Sequence, residues 1–370
     1  MKKRILLLLL LLGAGPAQLV ADSCSNSCAS SCAPSCASSC SDSDDCSGCP
    51  CSGKTFFVAR PMYQSYRPEL WSEFRNDRMT DAQDGMGSAV EAVAFGSKST
   101  KDRDLAQYFL PNCKNELSVK EVAAIIAGAD MKSQTRSIDP QFFNADLMAE
   151  NFNIVTNNGD FASDVSFSAN QSVVGLGLHY KQGFYFNDDF TSWWYIDTSS
   201  SLQRVKNEMN ICEVITNDGG GANTTANPEA VDSMTAAFKQ SSWCYGRIDN
   251  CKSLSRTGVA DIEFKVGKQY MWKKDCHLAS YLGILIPTGN VPKAKHVFEA
   301  IVGHGGHWGI SSGGEGGIEL WSSCHENWHL NLEMAIHGQY LFNKKQVRSF
   351  DLKGKPWSRY QEVYANEAQA

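Results

Sequence analysis

The stretch "WHLNLEMAIHGQYLF", residues 328–342, decides the fold. Every second residue from Trp328 to Phe342 is uncharged and nearly all are apolar (Leu330, Leu332, Met334, Ile336, Tyr340), whereas His329, Asn331, Glu333, His337 and Gln339 fall between them. At about 100° per residue, a helix would set Leu330 and Leu332 about 200° apart and scatter the apolar residues round its circumference. A period of two is a strand with one oily and one polar face. Its length is the second clue, because strands in globular proteins usually run to about 5–6 residues.

The same design recurs upstream. In "VVGLGLHYKQGFYF" Val174, Leu176, Leu178 and Tyr180 alternate with Gly175, Gly177, His179 and Lys181. In "ADIEFKVGKQYMW" Ile262, Phe264, Val266 and Tyr270 alternate with Asp261, Glu263, Lys265 and Gln269. Residues 192–205, 277–286 and 309–321 repeat it more weakly. The connections alternate too: "NDDF", "KKDC" and residues 322–327 are short, while 206–255 and 287–308 are long. Short turns at one end, long loops at the other, strands long enough to cross a bilayer and aromatics near segment ends together predict an all-β fold, an antiparallel transmembrane β-barrel. A secreted β-sandwich is the competing fold, with shorter strands and more frequent turns.

In residues 258–290, Gly258 and Asp261 sit in a Gly-x-x-Asp strand and a second strand ends in Pro287, Thr288 and Gly289; "GHWGISSGGEGGIELW" follows the loop. This resembles the central hairpin of Gram-negative outer-membrane barrel proteins of the hydrophobic-compound uptake and aromatic-degradation-associated type. The resemblance implies a barrel and small-molecule passage. Such barrels end on an aromatic residue, whereas this chain ends "RYQEVYANEAQA". The expected barrel over residues 85–352 is therefore either incomplete at its C-terminus or extended by a polar tail, 353–370.

On this reading the polar face lines a lumen, with His179, Lys181, Asp261, Glu263, Lys265, His329, Asn331, Glu333 and His337 projecting inward. The expected function is porin-like or transporter-like passage of small solutes in a bacterial outer membrane, with outer-membrane lipid as the surrounding partner. The alternative is a secreted or envelope-associated structural or binding β-protein crosslinked through its Cys-rich N-terminal tail.

The N-terminus explains that alternative. Lys2, Lys3 and Arg4 precede an apolar run from Ile5 to Leu12 and small residues up to Ala21, the layout of a signal peptide over residues 1–21. Residues 22–53 are Cys/Ser-rich and unable to build a core, hence an expected disordered segment in which Cys24 to Cys51 form intermolecular disulfides. Residues 54–84 read as a small N-terminal element. Six of the fourteen cysteines lie beyond the Cys/Ser-rich segment, and an even number in an exported protein favours disulfides. The expected bridges are Cys276 to Cys324, at the short-turn end of neighbouring strands, and Cys212 to Cys244, across a long loop.

A net charge of -6 without a basic block speaks against nucleic acid as a partner. The pattern G-x-S-x-G occurs once, at Gly309 to Gly313, and H-E-x-x-H once, at His325 to His329, but the first lies within an alternating strand and the second across a short turn, not at the strand-to-helix elbow or on the helix that their chemistry needs, so no catalytic residues, no cofactor and no enzymatic activity are expected. His304 and His307 in "HGGH", and the "DCH" and "SCHENWH" stretches with Cys276, His277, Cys324 and His325, have the chemistry of metal ligands. Flanking glycines and a simpler disulfide explanation leave no metal site expected.

Overall fold

The computed structural model describes residues 87–109, 115–121, 146–184, 187, 191–249, 252–273, 276–323 and 328–347. The expected signal peptide, the Cys/Ser-rich segment with Cys24 to Cys51, the element at 54–84 and the tail at 353–370 lie outside them. Among the described residues no helix is long and apolar enough to cross a membrane.

The alternating segments are strands: β1 Ser88–Lys98, β2 Glu116–Lys120, β3 Leu147–Met148, β4 Ala162–Phe184, β5 Ser192–Asn217, β6 Leu254–Val259, β7 Ile262–Lys273, β8 Cys276–Ile286, β9 Gly309–Ser322 and β10 His329–Leu341. Two short helices join them, α1 Asp102–Phe109 and α2 Met234–Ala237. All strands lie in one mostly antiparallel sheet of order β10-β9-β8-β7-β5-β4-β2-β3, with β1 also on β4 and β6 also on β5.

That order corrects the barrel expectation. The hydrogen-bonded path runs from β10 to β3 and, among the described residues, does not return. The sheet is nevertheless curled. β4 and β9 are four strand spacings apart, about 19 Å on a flat sheet, yet Lys181 Nζ on β4 reaches Glu315 Oε1 on β9 at 2.8 Å.

The two expected disulfides are also corrected. Cys276 pairs in register with Ile318, well short of the turn that carries residue 324, and its thiol is free. Cys212 is disulfide-bonded, but Cys244 is a free, exposed thiol. The first part of the expected 206–255 loop is strand, because β5 continues to Asn217.

The decisive feature is how β4 and β5 are dressed along their length. In β4 the inner face reads Ser163, Val165, Phe167, Ala169 and Val173, then Gly175, Gly177, His179 and Lys181. The outer face reads Asp164, Ser166, Ser168, Asn170 and Ser172, then Val174, Leu176, Leu178 and Tyr180. In β5 the inner residues Asp197, Ser199, Ser201 and Gln203 give way to Val205, Met209 and Ile211, while outside Leu202 gives way to Arg204, Lys206 and Glu208. Val173 pairs with Val205 and Val174 with Arg204, so both strands change character at one level.

Below that level the inner face is an ordinary apolar core. Phe152, Phe167, Phe238 and Trp243 meet edge to face or tilted at 5.8–6.0 Å between ring centroids, a favoured aromatic geometry. The segment carrying Phe238 is held by α2, whose first amides, Met234 N–H and Thr235 N–H, donate to the Glu213 carboxylate at 2.9 Å each. Ser233 Oγ accepts from Ala236 N–H at the same end. Buried Glu121 accepts from the amides of Thr156 and Phe161 and from the Thr156 hydroxyl, closing the 154–161 turn over the core.

Candidate functional site

Above the switch the inner face is a buried ionic network. Lys181, 1% exposed, donates to Glu315 at 2.8 Å and to Gln269 Oε1 at 3.1 Å, and its ammonium lies 4.3 Å from the Tyr195 ring centroid. Lys265, 2% exposed, stands 3.4 Å from Asp197 and 3.7 Å from Glu263, beside the Tyr281 ring. Each lysine thus has carboxylate partners and an aromatic cap, which lets a charge sit out of water. His179 Nε2 lies 2.8 Å from Asp197, and Ser311 donates to Glu263. Gly267 makes room for this: a Cβ there would stand 2.4 Å from the Tyr195 ring.

The field inside the curl is reflected in the titrating groups. Burial alone would raise the Asp197 carboxyl, but the Lys265 charge, the His179 hydrogen bond and Lys181 outweigh it and hold Asp197 well below the usual carboxylate range. The Lys181 charge likewise lowers Glu315, against the opposing effect of burial. Burial, then the Glu315 and Asp197 charges, push the Tyr195 phenol up.

Asp261 shares the inner side but has a different task. Its carboxylate accepts from the amides of Thr288 at 3.2 Å, Gly289 at 3.1 Å and His304 at 2.6 Å, and contacts His304 Nδ1 at 2.7 Å. The Gly-x-x-Asp and Pro-Thr-Gly elements are therefore two halves of one clamp. It folds the 287–304 loop inward, where Ala300 and Val302 cover Val173 and Val205 at the switch level. Gly303, at φ +77°, sits against this carboxylate, and a Cβ there would stand 2.6 Å from it.

The expected inward-facing residues separate accordingly. His179, Lys181, Glu263 and Lys265 come together, and Asp261 anchors a loop. At the outer end Glu333 stands 3.5 Å from His277, and His337 Nδ1 lies 2.8 Å from the Tyr281 hydroxyl. Asn331 is exposed, and the His329 side chain lies outside the described residues. Sequence reading missed Asp197, Tyr195 and Glu315. Asp197 is the only charge between Ser192 and Leu202, and Glu315 the only one between Gly309 and Ile318. Lone charges at the polar phase of an alternating strand were the available signal.

The outer face of this half is the reverse. Val90, Leu176, Leu178, Leu202, Val266, Leu278, Leu282, Ile284, Ile310, Leu332, Met334 and Ile336 are all exposed, Leu282 at 72%. Register makes them one band: Leu176 pairs with Leu202, Val266 with Leu282, Ile284 with Ile310, and Ile310 with Tyr340.

Two serines of the network stand beside ionisable side chains: Ser311 donates to the Glu263 carboxylate, and Ser199 faces His179. Ser199 stands opposite His179, which contacts Asp197, but the Ser199 hydroxyl makes no hydrogen bond among the described residues, so the nucleophile–base contact is missing. No three His, Cys, Asp or Glu side chains among the described residues gather as a metal-ligand set. His304 is engaged by Asp261, and His307 Nδ1 lies 2.8 Å from the Phe342 carbonyl oxygen.

No family model, no curated protein and no solved structure matches this chain. The resemblance to outer-membrane uptake barrels is therefore corrected, and its motif residues have a local explanation in the Asp261 clamp. Porin-like passage of small solutes, a lipid surround and an outer-membrane location rested on closure and on that resemblance, and they fall with the open sheet. The crosslinked alternative fares no better: Cys24 to Cys51, on which it rested, lie outside the described residues, and nothing among the described residues supports it.

Proposed function

We propose that this chain is a non-catalytic structural protein that assembles with copies of itself, burying the outer apolar band against protein. The observation carrying this reading is the inversion at Val173 and Val174. A half-sheet with charges inside and leucines outside is dressed for an apolar neighbour. Monomeric soluble proteins rarely expose a contiguous apolar patch larger than a few hundred Å². The inner charges Lys181, Asp197, Glu263 and Lys265 have partners within the curl, whereas the outer apolar side chains have none of their own kind to cover them.

Sedimentation velocity of the full chain in detergent-free buffer, over a wide concentration range, tests this. The mass is expected to rise with concentration. The double variant Leu278→Ser/Leu282→Ser, both on the outer face of β8, is expected to weaken association by at least about tenfold, given about 1.5–3 kcal/mol per buried leucine. A wild-type chain that stays monomeric throughout, or that leaves solution only when phospholipid vesicles are supplied, would overturn the reading.

A further inference from the structure

We infer that β10 is a seam of this assembly, pairing antiparallel and edge to edge with β10 of a second copy on a twofold axis through Ala335. This rests on the reading of the chain as self-assembling, but on a different contact from the outer band. One side of β10 is bonded to β9 along its length, and no strand among the described residues pairs with its other side. Residues 330–336 are exposed on both faces. The strand has neither Pro nor Lys, the residues that commonly keep an edge single, and it carries Leu330, Leu332, Met334 and Ile336.

The register follows from symmetry and charge. Residues directly opposite in an antiparallel pair point to the same face. A twofold perpendicular to the sheet therefore pairs positions of equal parity. With the axis on Ala335, Glu333 of each copy comes opposite His337 of the other, Asn331 opposite Gln339, Met334 opposite Ile336 and Leu330 opposite Tyr340. Moving the axis to Met334 sets Glu333 against Ala335, and moving it to Ile336 sets Glu333 against Gln339. Only the Ala335 axis of these three forms the acid–histidine pair, and it forms it twice. Tyr281 holds the His337 ring at 2.8 Å, while the Glu333 side chain is 62% exposed at the edge. In this register the apolar outer band and the polar inner face both continue from one copy into the next.

The test is sedimentation equilibrium of the full chain with charge-reversed variants. Glu333→Lys is expected to weaken association about five- to tenfold, because the acid–histidine pair is lost twice. Glu333→Lys/His337→Glu, which exchanges the charges, is expected to restore it to within about twofold. As an independent measurement, Ala335→Cys is expected to yield, on oxidation, a dimer whose peptide map links residue 335 to itself, whereas Gln339→Cys yields no corresponding 339–339 link. Glu333→Lys behaving like wild type together with no 335–335 link, or a double variant as weak as the single, overturns the seam. If association is lost in the β8 variant Leu278→Ser/Leu282→Ser but unmoved by the charge exchange, the seam fails and the outer-band reading stands; a monomeric wild type sinks both.

Discussion

The two halves of β4 and β5 share a backbone, an inner face and a register, and differ only in what their side chains are. In the lower half, Val165, Phe167, Met209 and Ile211 are removed from water while serines and charges face out. In the upper half, Lys181, Asp197 and Lys265 are removed from water while leucines face out. The lower half therefore gains stability from apolar burial. The upper half gains little net stability from its ion pairs, whose desolvation offsets their attraction, but breaking one of them is severe. What the pairs fix is shape, since Lys181 and Glu315 join strands that are not neighbours.

The sharpest way to break this comparison is to remove a cation from each half. Lys265→Met should destabilise by about 3–5 kcal/mol, taking from Asp197 and Glu263 the ammonium they share in the interior. Lys206→Met, at the exposed Lys206–Glu208 pair of the lower half, should change stability by less than about 1 kcal/mol. Urea unfolding midpoints read both, and equal effects would contradict the division. Next in size, Gly267→Ala should cost about 1–3 kcal/mol by overpacking against Tyr195.

Acid provides a third comparison, confined to the upper half. Asp197 and Glu315 are held below their ordinary values of 3.8 and 4.5. Depressed carboxylates contribute stability that is complete above those ordinary values and is lost as pH falls below them toward the folded ones. Stability should therefore be flat from neutral pH down to about 5 and decline below about 4. Amide exchange should report earlier acid opening in β7 and β9 than in the lower parts of β4 and β5. The smallest effect on folding is expected from Leu282→Ser on the outer face, below about 0.5 kcal/mol for an exposed site, measured by the same urea midpoint.

Much of the sheet was legible because period-two alternation is a local signal. The strand around Leu330 to Tyr340, and those around Phe264 and Ile284, stand where alternation placed them. The lower half of β5 was missed because Asn207, Glu208 and Asn210 read as loop composition; Glu208 and Asn210 lie on the outer face, while Asn207 is buried inside, bonded to Gln171 and the Glu299 carbonyl, beside Met209 and Ile211, which pack in the core with Met234 and Phe238. Closure was not legible at all, being a property of which distant edges meet. The bridge expected for Cys276 failed on register, since β8 and β9 pair Cys276 with Ile318, and nothing in the spacing of cysteines encodes that offset. Four of the inward residues were found from alternation, but their partners Asp197 and Glu315 come from other strands and meet only because the sheet curls.

Hydroxyl-radical footprinting of the full chain, in dilute and in concentrated solution, tests most directly whether the inverted half is the assembling half. Leu176, Leu202 and Leu282 in the upper band should become protected as concentration rises, while Val214 and Ile215, exposed at the lower end of β5, should keep the same reactivity. Equal reactivity of both sets at every concentration, or protection confined to Val214 and Ile215, would contradict it.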